Sequence, residues 1–212
     1  MSAEITLQTI AAEVNACTRC KLHLARTRAV PGEGPANADI LFIGEGPGFH
    51  EDQQGRPFVG AAGKFLEELL AMIGLKREQV FITNVVKCRP PGNRDPEADE
   101  LAACDDYLER QIAALNPKVI VTLGRFSMAK FFPNAKISII HGQARRVRGR
   151  LVVAMFHPAA ALHQAKFKEP LIEDFKKLPA LIAAEREAFA AAGVPDAGPA
   201  DDEPPAEQMS LF

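Results

Sequence analysis

Apolar positions along this 212-residue chain follow two patterns that alternate. Ile5, Ile10 and Val14 recur at roughly helical spacing and predict an amphipathic helix over Glu4–Ala16. Asp39–Gly44 is a short apolar run ending in glycine, the signature of a buried strand. Phe65, Leu66, Leu69, Leu70 and Ile73 mark a helix, closed by Gly74. Val80–Val86 is β-branched and aromatic and predicts a second strand. Asp95-Pro96 reads as an N-cap followed by a first-turn proline, opening a helix to about Leu115 with Leu101, Cys104, Leu108, Ile112 and Leu115 on one side. Lys118–Leu123 predicts a third strand, Arg125–Phe132 a short helix, Leu151–Phe156 a fourth strand and residues 171–190 a last helix. Strands separated by helices imply parallel pairing with helices on both faces. The expected fold is therefore a three-layer α/β/α domain over residues 1–192, with a central, mostly parallel four-stranded sheet. Residues 193–212, rich in Pro, Ala, Gly and acid, are expected to be a disordered tail.

Composition changes this picture little: 47% apolar and 25% charged residues exclude wholesale disorder, collagen and coiled coil. No run approaches the ~18 apolar residues of a membrane helix. Met1–Glu4 lacks a signal peptide's basic start, so a cytoplasmic monomer without membrane contact is expected. Charge is more informative when split. The net charge is −2, yet the stretch after Gly193 holds five acids and no Lys or Arg. The rest thus carries about +3, which permits a nucleic-acid partner.

Open parallel sheets bind ligands beyond the carboxyl ends of their strands. There the sequence places the loop Gly44-Glu45-Gly46-Pro47-Gly48, then Asn84, then His157-Pro158. Singly, Asn84 reads as a satisfied polar residue and His157 as a packed histidine; their convergence on one edge is what points to a site. The glycine loop fits neither Walker A, since Phe65 follows Gly63-Lys64, nor G-x-G-x-x-G. Cys17-x-x-Cys20 is a metal-binding spacing, and Cys88 and Cys104 complete a set of four. A 4Fe–4S cluster, zinc and unrelated buried cysteines all remain open on spacing, with zinc lacking its usual second C-x-x-C. Arg145, Arg146, Arg148 and Arg150 form a basic cluster suited to phosphates or to a solvated hairpin. Leu162 reads as a wedge into stacked bases or as a core leucine.

Between Cys17 and Leu178 the motifs combine. They are Cys17-x-x-Cys20, Gly44–Gly48 with Glu51-Asp52, Gly55-Arg56-Pro57-Phe58-Val59-Gly60, Thr83–Pro91 and His157-Pro158-Ala159-Ala160. This set resembles the family 4 uracil-DNA glycosylases, the iron–sulfur uracil-DNA glycosylases of bacteria and archaea. The resemblance implies a 4Fe–4S cluster on Cys17, Cys20, Cys88 and Cys104. It implies a uracil pocket formed by Glu45, Gly46, Pro47, Phe58, Asn84 and His157, with Glu45, Asn84 and His157 catalytic. Arg89–Arg94 runs directly into a helix, without the basic, histidine-ended insert of a covalently acting relative. Gly46 stands where related families place an aspartate, and His163 where many members have arginine.

On that reading, the chain flips uracil out of DNA and hydrolyses its N-glycosidic bond. His157 and backbone N–H groups of residues 45–47 serve the developing anion. Phe58 stacks on the extruded ring, and Asn84 reads its edge. Arg145, Arg146, Arg148 and Leu162 are the expected DNA contacts. A non-catalytic iron–sulfur module that binds nucleic acid is the alternative. The last five residues, Gln208-Met209-Ser210-Leu211-Phe212, resemble the bacterial sliding-clamp peptide, which makes the clamp an expected partner.

Overall fold

A computed structural model describes residues 2–191. Its helices are α1 (Ala3–Ala16), α2 (Phe49–Gln54), α3 (Ala61–Met72), α4 (Ala98–Leu115), α5 (Arg125–Phe131), α6 (Ile137–Ile140), α7 (Pro158–His163) and α8 (Lys168–Ala191). Its strands are β1 (Ile40–Gly44), β2 (Phe81–Asn84), β3 (Val119–Leu123), β4 (Ala144–Val147) and β5 (Arg150–Met155). None of the described helices is long and apolar enough to cross a membrane.

The strands form one sheet in the order β2-β1-β3-β5-β4, parallel except for β4. The expected sheet of four strands therefore has five. Strands β1, β2 and β3 are buried along their length, and β5 from Val152 onward, so their residues alternate between two cores. Ile40, Phe42, Val119 and Val121 face α3, α7 and α8 through Leu66, Leu70, Ala161, Phe175 and Leu178. Leu41, Ile43 and Ile120 face α4 through Leu108, Ile112 and Leu115. A third cluster, with Ile10, Val14, Leu22, Val86 and Tyr107, packs α1 against α4.

The extra strand escaped the pattern because its exposed residues, Arg145 and Arg146, are adjacent instead of alternating with buried ones. It leads into β5 through Arg148 and Gly149, both with positive φ (50° and 80°), a two-residue hairpin turn whose twist matches that of its strands. The fourth helix begins at Ala98 with Glu97 as its cap, not at Asp95-Pro96. Glu100 reaches back to accept the Glu97 N–H at 2.8 Å, so the capping carboxylate lies inside the helix.

Candidate active site

The carboxyl ends of the four parallel strands carry the site. The outer two deliver side chains: β2 ends at Asn84, and His157 follows β5 by two residues. The inner two run into glycine, β1 at its last residue and β3 one residue beyond. A Cβ on Gly44 would sit 2.4 Å from the Asn84 Oδ1 and 2.7 Å from the Phe58 ring. Gly124, just past β3 at φ 93°, leaves 3.1 Å between its absent Cβ and that of His157. Over these ends opens a recess of about 920 Å³, counted with its mouth. Glu45, Gly46, Pro47, Phe58, Asn84 and His157 all line it, so the expected pocket residues are brought together.

The Phe58 loop is fixed through its main chain. Phe58 has φ 51°, a left-handed conformation that costs a non-glycine residue about 1 kcal/mol or more unless its surroundings impose it. Two charged side chains do so. Glu51 Oε1 accepts the N–H groups of Val59 and Gly60 at 2.9 and 2.8 Å, and its Oε2 accepts that of Gly48 at 3.1 Å. Arg77 donates to the carbonyls of Pro57 and Phe58, the latter at 2.8 Å. Below, a Cβ on Gly63 would lie 2.0 Å from the Phe58 carbonyl oxygen, so helix α3 meets the loop backbone to backbone. The Phe58 and His157 rings are stacked at 5.6 Å between centroids.

Electrostatics settle the form of His157. Burial pushes its pKa down to about 4, with Glu51 opposing weakly. The ring is therefore neutral at pH 7. Its Nδ1 accepts the Ala159 N–H at 3.1 Å, which leaves the proton on Nε2 as the ring's donor. Asn84 is 1% exposed, and its Oδ1 has no hydrogen-bond partner among the described residues. Burial also raises the Glu45 carboxyl above the usual range, with Asp95 adding to the rise and Arg125 opposing it. No described residue donates to that carboxyl, whereas both oxygens of Glu51 are taken by backbone N–H groups. Gly46 offers no free direction for a side chain, because its Cβ would meet Val86 Cγ2 at 2.7 Å.

Behind Asn84 lies a group that sequence inspection missed. Lys87 is 1% exposed and donates to Thr83 Oγ1 at 2.6 Å, the Asn84 carbonyl at 2.9 Å and Gln111 Oε1 at 2.7 Å. Burial pushes its ammonium down to about 7. Arg77 was missed as well. Arg77 works on backbone 19 and 20 residues away, and Lys87 is buried by a contact with Gln111 24 residues on, which no local motif encodes.

Cys17, Cys20, Cys88 and Cys104 line a second, narrow recess, with Arg26 and Tyr107 in its wall. Cys17 caps α1, Cys20 opens the following 3-10 turn, Cys88 lies beyond β2, and Cys104 projects from α4. None of the four is paired in a disulfide. Burial pushes the Cys104 thiol up to about 11 and raises Cys20 and Cys88. Arg26 donates to Cys88 Sγ at 3.1 Å.

The expected arginine contacts are not brought to the pocket. Arg145 and Arg146 lie on edge strand β4, and Arg148 is in its hairpin at the amino end of β5, opposite the end that carries His157. Arg146 is paired bidentately with the buried Glu185 at 2.8 Å, Arg148 with Glu109 at 3.2 Å, and Arg145 donates to Gln143. Leu162, on α7, is 47% exposed and sits next to the pocket-lining His163.

Comparison with known proteins agrees with this architecture. Residues 31–178 match the family model of the uracil DNA glycosylase superfamily. A protein of Sulfurisphaera tokodaii named type-4 uracil-DNA glycosylase is 50% identical over 185 residues, covering 82% of this chain and 83% of its own. Proteins of the same name from Archaeoglobus fulgidus (49% identity, 82% and 92% coverage) and Thermotoga maritima (43%, 86% and 97%) are also similar. At this identity, over most of both lengths, the chain belongs to the uracil-DNA glycosylase superfamily and, within it, to the type-4 uracil-DNA glycosylases.

Proposed function

We propose that this chain removes uracil from DNA by hydrolysing the bond between the base N1 and the sugar C1′. The observation that carries the reading is the Asn84 Oδ1, a buried acceptor left unpaired in a recess that also holds a neutral histidine donor. Leaving such an atom bare costs roughly 1–3 kcal/mol, so it is suited to a ligand that brings an N–H. Uracil N3–H is that donor, and uracil O4 accepts from the same amide. Cytosine presents the reverse pattern and would leave two mismatched buried groups.

As the bond breaks, its electron pair moves onto uracil and positive charge develops at C1′. The Nε2–H of His157 and main-chain N–H groups of residues 45–47 are assigned to the O2 that gains negative charge. Because the histidine is neutral, it donates without giving up a full proton. Water then adds its oxygen to C1′, and its proton passes to the Glu45 carboxylate, the acid in the pocket wall that no backbone group occupies. Phe58 supplies the stacking surface for the extruded base. Its loop is already fixed, so little ordering is left to be done on binding.

The cysteine recess fits an iron–sulfur cluster. Its lining offers four thiols and the His23 imidazole, with no carboxylate among them, a mainly soft set. The chain supplies a single C-x-x-C pair where zinc knuckles usually bring two, which favours a polynuclear 4Fe–4S group over zinc. Cys17, Cys20, Cys88 and Cys104 would hold it, and it would supply a cross-link between the end of α1, the segment after β2 and α4.

Gln208–Phe212 lie outside the described residues; we assign them to sliding-clamp binding on their sequence alone. The function is tested by incubating the purified chain with an oligonucleotide holding one uracil. Free uracil and an abasic site are expected, and binding without release would favour the non-catalytic alternative. Deleting residues 208–212 should leave that release unchanged and abolish clamp binding in calorimetry.

A further inference from the structure

Beside the pocket mouth stands a pair of side chains that the proposed chemistry does not use. Phe49 opens α2 directly after the pocket-lining Gly48, and Arg89 directly precedes the pocket-lining Pro90. Phe49 is 53% exposed, the one aromatic among the large apolar side chains exposed on the described residues. The Arg89 guanidinium carbon lies 5.2 Å from the centre of its ring. Arg89 is held in turn, its Nε donating to Asn93 Oδ1 at 2.7 Å. Asn93 (φ 56°) and Gly92 (φ 64°) are both left-handed, and this folds the loop back so that the amide reaches the arginine. The neighbouring Arg94 is differently engaged, bidentate with the buried Glu100 at 2.8 and 2.6 Å. Arg89 forms no ion pair with any described residue.

An aromatic ring kept in water beside a pocket, with a cation fixed over it, has the two contacts a nucleotide offers: a flat base and a phosphate. Extruding one base leaves its neighbour with a bare face, and the residue next to the pocket wall is placed to cover it. We propose that Phe49 and Arg89 form a second DNA subsite, in which a base adjacent to the extruded uracil stacks on Phe49 while Arg89 takes the intervening phosphate. This rests on the glycosylase reading above and adds to it a contact outside the uracil pocket.

The test is a cycle with one change on each partner. The probe is a single-stranded oligonucleotide carrying 2′-fluoro-2′-deoxyuridine, which resists cleavage, and the readout is affinity by fluorescence anisotropy. Phe49→Ala should weaken binding about tenfold, within the range for loss of one stacked base, and Phe49→Trp should restore it. On wild type, removing the base on one side of the uridine should cost a similar factor, which needs no variant to fold. On Phe49→Ala the same removal should cost nothing further. Arg89→Gln should reduce the salt dependence of binding by about one phosphate contact. Losses that multiply independently, or Phe49→Ala binding as wild type does, would overturn the subsite. Release of free uracil by wild type is read in parallel, so failure of the function is seen separately from failure of this contact.

Discussion

The two recesses lie on either side of the segment from Asn84 to Cys88, and they are held in opposite ways. The strand-end pocket is shaped by the main chain. Glu51, Arg77 and Lys87 all bind backbone atoms of its wall, and the polar groups left over point to a ligand. The cysteine recess is shaped by side chains from segments as far apart as residues 17 and 104, and its direct contacts, such as Arg26 to Cys88 and Arg19 over the Tyr107 ring, run between side chains. A pocket of the first kind is complete before its ligand arrives, so binding energy is available for chemistry. A recess of the second kind depends on its occupant, and binding there becomes folding energy.

Breaking the pocket should therefore cost rate and little stability. Asn84→Ala and His157→Ala are each expected to lower uracil release at least ~100-fold, the usual loss for one such donor, with a melting temperature near wild type. Single-turnover kinetics and calorimetry would check both. Breaking the other recess should do the reverse. Cys88→Ala should lose iron, read by absorbance and metal analysis, and about 3 kcal/mol or more of stability, or roughly 6–12 °C in a chain of this size. Full stability without iron would erase the contrast.

An intermediate effect is expected from the loop clamp. Arg77→Ala frees the Pro57 and Phe58 carbonyls and should reduce kcat/KM about tenfold, the equivalent of about 1.4 kcal/mol, mostly through KM. Acid sharpens the comparison further. With the His157 pKa near 4, release should not fall off around pH 6.5 as it would if the ring took up a proton there. The unfolded ring binds its proton at about 6.5, so acid favours the unfolded state between those values. The stability supplied by the neutral ring is complete above about pH 6.5 and declines as the pH falls toward 4. His157→Asn should remove that part of the decline, as measured by denaturant unfolding at stepped pH. Smallest of all, Arg148→Ala should change stability by no more than about 0.5 kcal/mol, while Arg146→Ala, which strands Glu185, should cost roughly 1–3 kcal/mol.

The layers of the fold were legible because parallel strands buried on both faces print themselves as unbroken apolar runs. Strand β4 was not, since an edge strand with Arg145 and Arg146 side by side has no apolar period. Helices α2, α6 and α7 are too short for a period to build up. Of the site, Asn84, His157 and the Glu45 loop could be read because strands end there in glycine or polar residues. Arg77 and Lys87 could not: an arginine after a helix and a lysine beside a cysteine look like surface residues until the fold buries them. The position of the basic run 145–150 was not legible for the converse reason, since charge in sequence does not say which end of a strand it occupies.

Between Asn84 and His157 stand β1 and β3, each running into a glycine that adds no bulk. The span from reader to donor is thus three strand spacings, about 14 Å between main chains. That gauge is set by the length of backbone hydrogen bonds, which is the same whatever side chains fill the core. It cannot be widened by a fraction; the available step is a whole strand, about 5 Å. Substitutions in the layers above and below can loosen or stiffen this molecule without resizing its opening. A change in which base it accepts would have to come from the chemical character of the few groups at the rim.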